Sequence, residues 1–129
     1  GAKAVQIGTR FVVANESIVH ENYKDRVIAA KDIDSAVTGR SHGHPVRCLR
    51  NAMTREYTKL EAEGKSFEEL EYLTLGTLRK AVMEGDTVNG TVMAGQIARL
   101  INKKQRAKEI IDEIIAEAGN LLKNAGSLV

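Results

Sequence analysis

The chain has 129 residues, which suits one ordinary domain, and its 19 Lys and Arg residues nearly balance 17 Asp and Glu residues, for a net charge of +2. This balance excludes the large basic excess of nucleic-acid-binding proteins, and an aromatic content of 4% leaves few platforms for base stacking. Hydrophobic residues at 43%, without an apolar run long enough to cross a membrane, indicate a soluble protein. The single cysteine, Cys48, cannot form an internal disulfide, so a cytoplasmic location is expected.

The first predicted element is a short strand, Ala4–Ile7, which ends at Gly8 and Thr9. A strand that is apolar on nearly every residue suits the interior of a parallel sheet, and its backbone then needs neighbours that this chain does not supply. Together with Gly1 in place of an initiator Met, this leads us to interpret the chain as the C-terminal part of a longer protein. Gly8 and Thr9 follow the strand, where parallel sheets and barrels bind ligands, although a simple tight turn is the alternative.

Helical spacing of apolar residues predicts most of the remaining chain as helix. A Ser66–Glu69 capping box opens one long helix that contains Gly76, kept small by a close neighbour, and ends at Gly85. Ser35–Asn51 is predicted as a loop with up to two short strands. The other predicted helices are Glu16–Lys31 with Asn15 as its N-cap, Ala52–Glu63 ended by Gly64, Thr91–Ile101, and Ala107–Ala125 with Ile110, Ile114, Ala118, Leu121, Leu122 and Ala125 facing inward.

Two stretches concentrate basic side chains. The first, between Ser35 and Arg55, has no acidic residue and contains Arg40, Arg47, Arg50, Arg55, His42 and His44. The planar guanidinium group favours phosphate or carboxylate recognition, whereas a solvated charged loop is the alternative. The two histidines lack a carboxylate or thiolate at ligand spacing, so we predict no metal site. The second basic stretch runs from Arg99 to Lys108.

Val92–Gln96 is a further unusual segment, because small residues surround Met93 and the uncharged polar Gln96 follows them. Small residues and Met commonly fill tight helix contacts. The alternative is that this segment forms the wall of a substrate pocket.

Three segments together resemble the C-terminal part of the flavin-dependent enoyl-acyl-carrier-protein reductases, which are relatives of the nitronate monooxygenases. The segments are Gly1–Phe11, Gly43–Arg47 and Gly90–Ala98. The pattern Gln-x-Gly-Thr-Arg-Phe is shared with the wider monooxygenase group. Gly-His-x-Val-Arg and Val-Met-Ala-Gly-Gln-Ile-Ala are more similar to the reductases, and the resemblance spans the whole chain.

The resemblance implies an α/β parent protein, a (β/α)8 barrel that carries FMN, with a mainly helical substrate-binding lobe. Because a barrel typically needs about 250 residues, this chain would hold only its end. Residues 1–31 would be the last strand and helix of the barrel, 32–104 the loop and helical lobe, and 105–129 a C-terminal helix. The remaining N-terminal barrel segment would be its partner, and a homodimer is a further candidate.

The activity that the resemblance implies is transfer of a hydride from NADH or NADPH through FMN to the double bond of an enoyl thioester on acyl carrier protein, in fatty-acid synthesis. The implied cofactor-binding residues are Gly8 and Thr9 at the FMN phosphate, with Gln6 nearby. The implied substrate-binding residues are Met93, Gly95, Gln96 and Arg47.

No catalytic residue is predicted, since none of His20, His42 and His44 matches the context of the family's proposed catalytic histidine. The chain alone is therefore expected to be inactive. Two alternatives stay open: a nitronate monooxygenase that oxidises alkyl nitronates with oxygen, and a stand-alone helical module that binds an anion through its arginine-rich loop.

Overall fold

The computed structural model describes residues 2–125. Gly1 and residues 126–129, which are the outer ends of the predicted barrel end 1–31 and of the predicted C-terminal helix region 105–129, lie outside the described residues. The described chain forms six α-helices, namely α1 (Thr9–Val12), α2 (Glu21–Ile28), α3 (Ala52–Ala62), α4 (Phe67–Thr74), α5 (Thr77–Glu84) and α6 (Ala107–Ala125). Two strands, β1 (Ser35–Thr38) and β2 (Val46–Leu49), form its antiparallel sheet, and Asp32–Asp34 and Gln96–Leu100 are 3-10 helices.

The predicted strand Ala4–Ile7 is not a strand in this structure. A strand requires neighbours that pair with its backbone, and residues 2–125 place none beside it. Val5 is accordingly 79% exposed. The chain instead turns at Gly8, whose carbonyl accepts hydrogen bonds from the N–H groups of Phe11 and Val12, and α1 follows.

Helix α2 begins at Glu21 rather than at Glu16. The Nδ1 atom of His20 accepts a hydrogen bond from the Asn22 N–H at 3.1 Å, which makes His20 the N-cap. The predicted N-cap, Asn15, instead donates its backbone N–H to the Gln105 carbonyl at 2.9 Å. A contact made 90 residues away in sequence therefore overrides the local capping signal.

The two short strands predicted within Ser35–Asn51 are confirmed as an antiparallel hairpin, with Ser35 opposite Leu49 and Thr38 opposite Val46. Glu61 fixes the hairpin loop, because its carboxylate accepts hydrogen bonds from the Gly39 N–H and from the N–H and hydroxyl of Ser41. Burial alone would raise the pKa of the Glu61 carboxyl, but these hydrogen bonds hold it below its ordinary value.

The capping box of Ser66 and Glu69 is confirmed, but the single long helix is wrong, because α4 ends at Thr74 and α5 starts at Thr77. Gly76 lies at the break with φ +76°, a left-handed conformation that favours glycine. A Cβ at Gly76 would meet no atom within 4 Å. Backbone conformation, and not a close neighbour, explains this glycine.

The predicted helix Thr91–Ile101 is also wrong in its first half. Residues 91–95 run beside β2: the Leu49 N–H donates to the Val92 carbonyl at 2.8 Å, and the Ala94 N–H donates to the Arg47 carbonyl at 3.3 Å. Cys48 and Met93 form an isolated antiparallel bridge. The open backbone groups of β2 compete successfully with helix formation, and only Gln96–Leu100 turns into a 3-10 helix.

Two apolar clusters form the interior. The smaller cluster consists of Met53, Tyr57 and Leu70. The buried members of the larger cluster are Val13, Tyr23, Val27, Ala30, Leu49, Ala81, Val92, Ala94, Ala98 and Ile101. Helix α6 has the predicted bounds but buries only the start of its predicted inward face: Ile110 is buried and Ile114 half-buried, while Ala118, Leu121, Leu122 and Ala125 are exposed. No other part of the described chain buries the apolar face of the second half of α6.

Replacing Gly90 by Ala should lower the free energy of unfolding by about 1–3 kcal/mol, as overpacking usually does. A Cβ at Gly90 would lie 2.4 Å from the Asp86 carbonyl oxygen and 2.7 Å from the Ala81 nitrogen. Gly119→Ala is the matched control, because a Cβ there meets nothing within 4 Å and alanine favours the helix by about 1 kcal/mol. Urea unfolding measures both, and equal stability of the two variants would contradict this account.

Candidate functional site

An open cavity of about 660 Å³ lies where the chain turns from the N-terminal segment into α1. We call it the N-terminal cavity. Its volume falls within the range of about 300–1,000 Å³ that small-molecule and cofactor sites occupy. It is lined by Gln6, Ile7, Gly8, Thr9, Arg10, Gly95, Ile97, Leu100, Ile101 and Ile114. The three residues predicted for the cofactor, Gln6, Gly8 and Thr9, thus share one cavity with Gly95.

A hydrogen bond joins the two predicted parts of the site. The Gly95 N–H donates to the Thr9 Oγ1 atom at 2.9 Å, across 86 residues of sequence. Because a hydroxyl accepts and also donates, the Thr9 O–H hydrogen remains available for a ligand. A Cβ at Gly95 would lie 3.4 Å from Thr9 Oγ1, so the Gly95 backbone packs closely against the Thr9 side chain.

A second cavity, of about 250 Å³, lies between the hairpin, α3, α4 and the start of α5. We call it the lobe cavity. Most of its exposed lining is apolar, with a few polar groups. It is lined by Thr38, His44, Val46, Met53, Tyr57, Phe67, Glu71, Thr74, Thr77, Leu78, Thr91 and Met93. Met93 therefore lies in the wall of the lobe cavity. Only one residue separates it from Gly95, which lies in the wall of the N-terminal cavity.

The backbone of Met93 is held by a buried tyrosine. The Tyr23 hydroxyl donates to the Met93 carbonyl oxygen at 2.7 Å. Burial raises the pKa of Tyr23 to about 12, so the hydroxyl keeps its proton at neutral pH. The bridge between Met93 and Cys48 fixes the same residue from the hairpin side.

A group of buried polar residues fixes the segment before Met93. The Oγ1 atoms of Thr77 and Thr91 lie 2.7 Å apart, and the Thr91 N–H donates to the Thr77 carbonyl at 3.0 Å. The side-chain amide of Asn51 donates to the carbonyls of Gly90 at 2.7 Å and Thr87 at 2.9 Å. Asn51 was not predicted as a site residue. Its position just before a helix, with Thr54 three residues later, is the capping signal that identifies it.

Two predicted substrate residues line neither cavity. Arg47 donates from Nη1 to the Ser35 hydroxyl oxygen at 3.1 Å. Gln96 is exposed at the start of its 3-10 helix. Conversely, the apolar residues Met53, Tyr57 and Phe67 line the lobe cavity although none was predicted as a site residue. Helix cores and cavity walls share the same apolar spacing, so the sequence pattern does not distinguish them.

The histidines and the cysteine have structural surroundings. His20 caps α2, and the His44 ring lies 4.9 Å from the Phe67 ring. Cys48 is buried, and burial raises the pKa of its thiol. Within residues 2–125, no three His, Cys, Asp or Glu side chains converge as metal ligands. None of the described helices has both the length and the apolar content of a membrane span.

The family model for nitronate monooxygenase matches residues 1–117. The chain belongs to this family. A probable nitronate monooxygenase of Bacillus subtilis is 25% identical over 117 residues, which cover 91% of this chain and 34% of the relative. One from Staphylococcus saprophyticus is 25% identical over 122 residues, covering 95% of this chain and 34% of the relative.

Solved structures extend the likeness to the whole chain. The structure of FabK from Thermotoga maritima matches with a TM-score of 0.92 and 40% identity, over 100% of this chain and 41% of FabK. A methionine-to-alanine variant of that FabK matches with a TM-score of 0.83 and 36% identity. The chain therefore spans about a third to two fifths of these relatives. The family and the match confirm the resemblance and support a (β/α)8 parent, to which this chain contributes helices and a two-stranded sheet.

The residues of the N-terminal cavity fit the phosphate end of FMN. A Cβ at Gly8 would meet no atom within 4 Å, so the space beside its backbone is open to a ligand. The Thr9 hydroxyl retains a hydrogen to donate. Arg10 has a different role, because its guanidinium group already bonds the Lys103 carbonyl and the Gln105 side chain.

Tyr23→Phe should lower the free energy of unfolding by about 1–3 kcal/mol, because it leaves the Met93 carbonyl without its donor. Tyr72→Phe is the control, since the Tyr72 side chain is 81% exposed. Thermal and urea unfolding check the difference. Equal losses in both variants would show that the buried hydrogen bond does not hold the Met93 segment.

Proposed function

We propose that this chain is part of an FMN-dependent enoyl-thioester reductase that acts in cytoplasmic fatty-acid synthesis on substrates held by acyl carrier protein. When bound, FMN supplies the ring that relays a hydride from NADH or NADPH to the carbon–carbon double bond. The main support is the 2.9 Å hydrogen bond between Thr9 and Gly95, which joins the N-terminal cavity to the Met93 segment. The 40% identity to FabK over the whole chain agrees with this proposal.

The proposed role of the N-terminal cavity is to hold the FMN phosphate. Gly8 gives the phosphate access to the backbone, and the Thr9 hydroxyl donates a hydrogen bond to a phosphate oxygen. Gln6 lines the same cavity and contributes an uncharged polar side chain beside the cofactor. Because Thr9 also accepts from Gly95, its rotamer is fixed before the ligand binds.

The proposed role of the lobe cavity is to receive the acyl part of the thioester. Met53, Phe67 and Met93 give it apolar walls that exclude water from a hydrocarbon chain. The hydroxyl pair of Thr77 and Thr91 satisfies its own hydrogen bonds and therefore does not demand a polar ligand. Gly95 and Gln96, which follow Met93, and Arg47 complete the proposed substrate contacts toward the thioester and its carrier.

No catalytic residue is assigned to this chain. Its part in the reaction is to bind and orient, and the remaining barrel segment is the proposed partner that completes the site. A homodimer is a further proposed assembly. The isolated 129-residue chain is accordingly expected to lack reductase activity.

Assays of the full-length protein test this function. Purified with FMN, it should show a flavin absorption spectrum and oxidise NADH or NADPH when crotonyl-acyl-carrier protein is added, with butyryl-acyl-carrier protein as the product. A flavin-loaded protein that leaves the enoyl thioester unchanged would contradict the proposal.

A nitronate monooxygenase is the second candidate, favoured by the family model and by the names of the Bacillus and Staphylococcus relatives. Oxygen uptake with an alkyl nitronate, in the absence of NADH, would identify that activity. The stand-alone anion-binding module makes a third, distinct prediction: the 129-residue chain would unfold cooperatively, and the full-length protein would carry no flavin.

Thr9→Val should weaken FMN binding by the full-length protein by about 1 kcal/mol or more, because it removes one donor to phosphate and leaves the Gly95 N–H unpaired. Thr9→Ser is the matched control, since it keeps the hydroxyl and should bind nearly as the wild type does. Flavin fluorescence quenching measures both affinities. Unchanged affinity in Thr9→Val would remove Thr9 from the cofactor site.

A further inference from the structure

The two basic stretches differ in how their charges are neutralised. In the stretch from Arg99 to Lys108, four of the side chains make salt bridges within the described chain. These pairs are Arg99 with Asp32 at 2.6 Å, Lys103 with Glu113 at 2.8 Å, Lys104 with Glu21 and Asp25 at 2.6 Å each, and Lys108 with Asp112 at 2.5 Å. This stretch therefore presents little uncompensated positive charge to a partner.

The arginines of the first stretch are not neutralised in this way. Among residues 2–125, no carboxylate lies within salt-bridge distance of Arg47, Arg50 or Arg55. Arg47 donates to the hydroxyl oxygen of Ser35, and the Nε atom of Arg50 donates to the Ser35 carbonyl at 3.2 Å. Their bonds within the described chain go to neutral oxygens, so neither guanidinium group is paired with a carboxylate there.

Arg50 and Arg55 face a common cleft of about 280 Å³, which we call the arginine cleft. It is lined by Ala36, Val37, Arg50, Thr54, Arg55 and Thr58. The hydroxyls of Thr54 and Thr58 donate to backbone carbonyls of their own helix. The guanidinium groups are therefore the donors that this cleft offers to an anion.

The acidic residues near these arginines in sequence do not form salt bridges with them. Glu56 directly follows Arg55, but no salt bridge within residues 2–125 joins the two. Asp34 directly precedes β1, but its carboxylate is paired with Arg26 at 3.3 Å and accepts the Lys31 N–H. Arg26 in turn donates to the Arg50 carbonyl, so this neutral ion pair borders the same surface without changing its net charge.

The arginine cleft flanks the lobe cavity through two shared elements. Strand β1 gives Thr38 to the cavity and Ala36 and Val37 to the cleft. Helix α3 gives Met53 and Tyr57 to the cavity, and it gives Thr54, Arg55 and Thr58 to the cleft. A macromolecule bound at the cleft would lie beside the cavity that receives its attached acyl group.

We propose that the arginine cleft, together with Arg47, is the docking surface for the acidic protein that carries the enoyl thioester. This inference rests on the proposed function and selects one of the two basic stretches. Carboxylates of an acidic helix match the planar forks of exposed arginines. Such charge complementarity mainly raises the association rate, and the attraction between the two proteins weakens as the salt concentration rises.

The test is a direct binding measurement on the full-length enzyme, by fluorescence anisotropy of labelled acyl carrier protein. Arg50→Gln/Arg55→Gln should raise the Kd about tenfold at low salt and less at high salt. Arg55→Lys keeps the charge but not the planar fork, so it should lose less affinity than Arg55→Gln does. Arg99→Gln/Lys108→Gln is the matched control, because it removes the same charge from the neutralised stretch and should leave the Kd within twofold.

Kinetics separates this docking from other anion sites. In the double variant, KM should rise for the carrier-bound substrate and stay unchanged for NADH, for the coenzyme A thioester and for the neutral N-acetylcysteamine thioester. A parallel rise with the coenzyme A thioester or with NADH would mean that the cleft binds a phosphate of a small molecule, and the proposal would be overturned.

Wild-type carrier binding by the Arg50→Gln/Arg55→Gln variant would also overturn the proposal. These outcomes differ from a failure of the proposed reductase function. If that function is wrong, the wild-type enzyme itself would not reduce any enoyl thioester.

Discussion

The hydrogen bond from the Gly95 N–H to the Thr9 hydroxyl is the constraint on which the site depends. It connects the beginning of the chain to a segment 86 residues later and ties the wall of the N-terminal cavity to the wall of the lobe cavity. This hydrogen bond fixes the position of Gly95 relative to Thr9 and therefore the relation between the two cavity walls. A cofactor phosphate at one end and an acyl group at the other would then be held by one continuous piece of structure.

The Met93 segment is rigid because three separate parts of the fold hold it. Strand β2 pairs with it on one side, Tyr23 bonds the Met93 carbonyl from α2, and Asn51 bonds the Gly90 carbonyl from the start of α3. The described chain has no unpaired buried side-chain nitrogen or oxygen, so these polar contacts are fully satisfied. A satisfied buried network of this kind specifies one conformation, which a binding wall requires.

The elements that the sequence predicts correctly are those that interactions between residues close in sequence determine. The Ser66 capping box, the hairpin and the bounds of α6 follow from caps, β-branched residues and apolar spacing. The ligand-binding role of Gly8 and Thr9 stays a prediction, although both residues line the N-terminal cavity. The errors lie where distant partners decide: Asn15 bonds Gln105, β2 draws residues 91–95 out of a helix, and Ala4–Ile7 lacks neighbours to pair with. The conformation at Gly76 and the neutralisation of the second basic stretch likewise appear only in three dimensions.

Hydrogen exchange at the Gly95 amide of the full-length protein tests the link between the two cavities most directly. With Thr9 as its acceptor, this amide should exchange slowly, more slowly still when FMN is added, and rapidly in Thr9→Val. The Leu49 amide, which donates to Val92, is an internal control whose exchange should not change. Fast exchange at Gly95 in the wild type, unaffected by FMN, would show that Thr9 does not couple the cofactor to the Met93 segment.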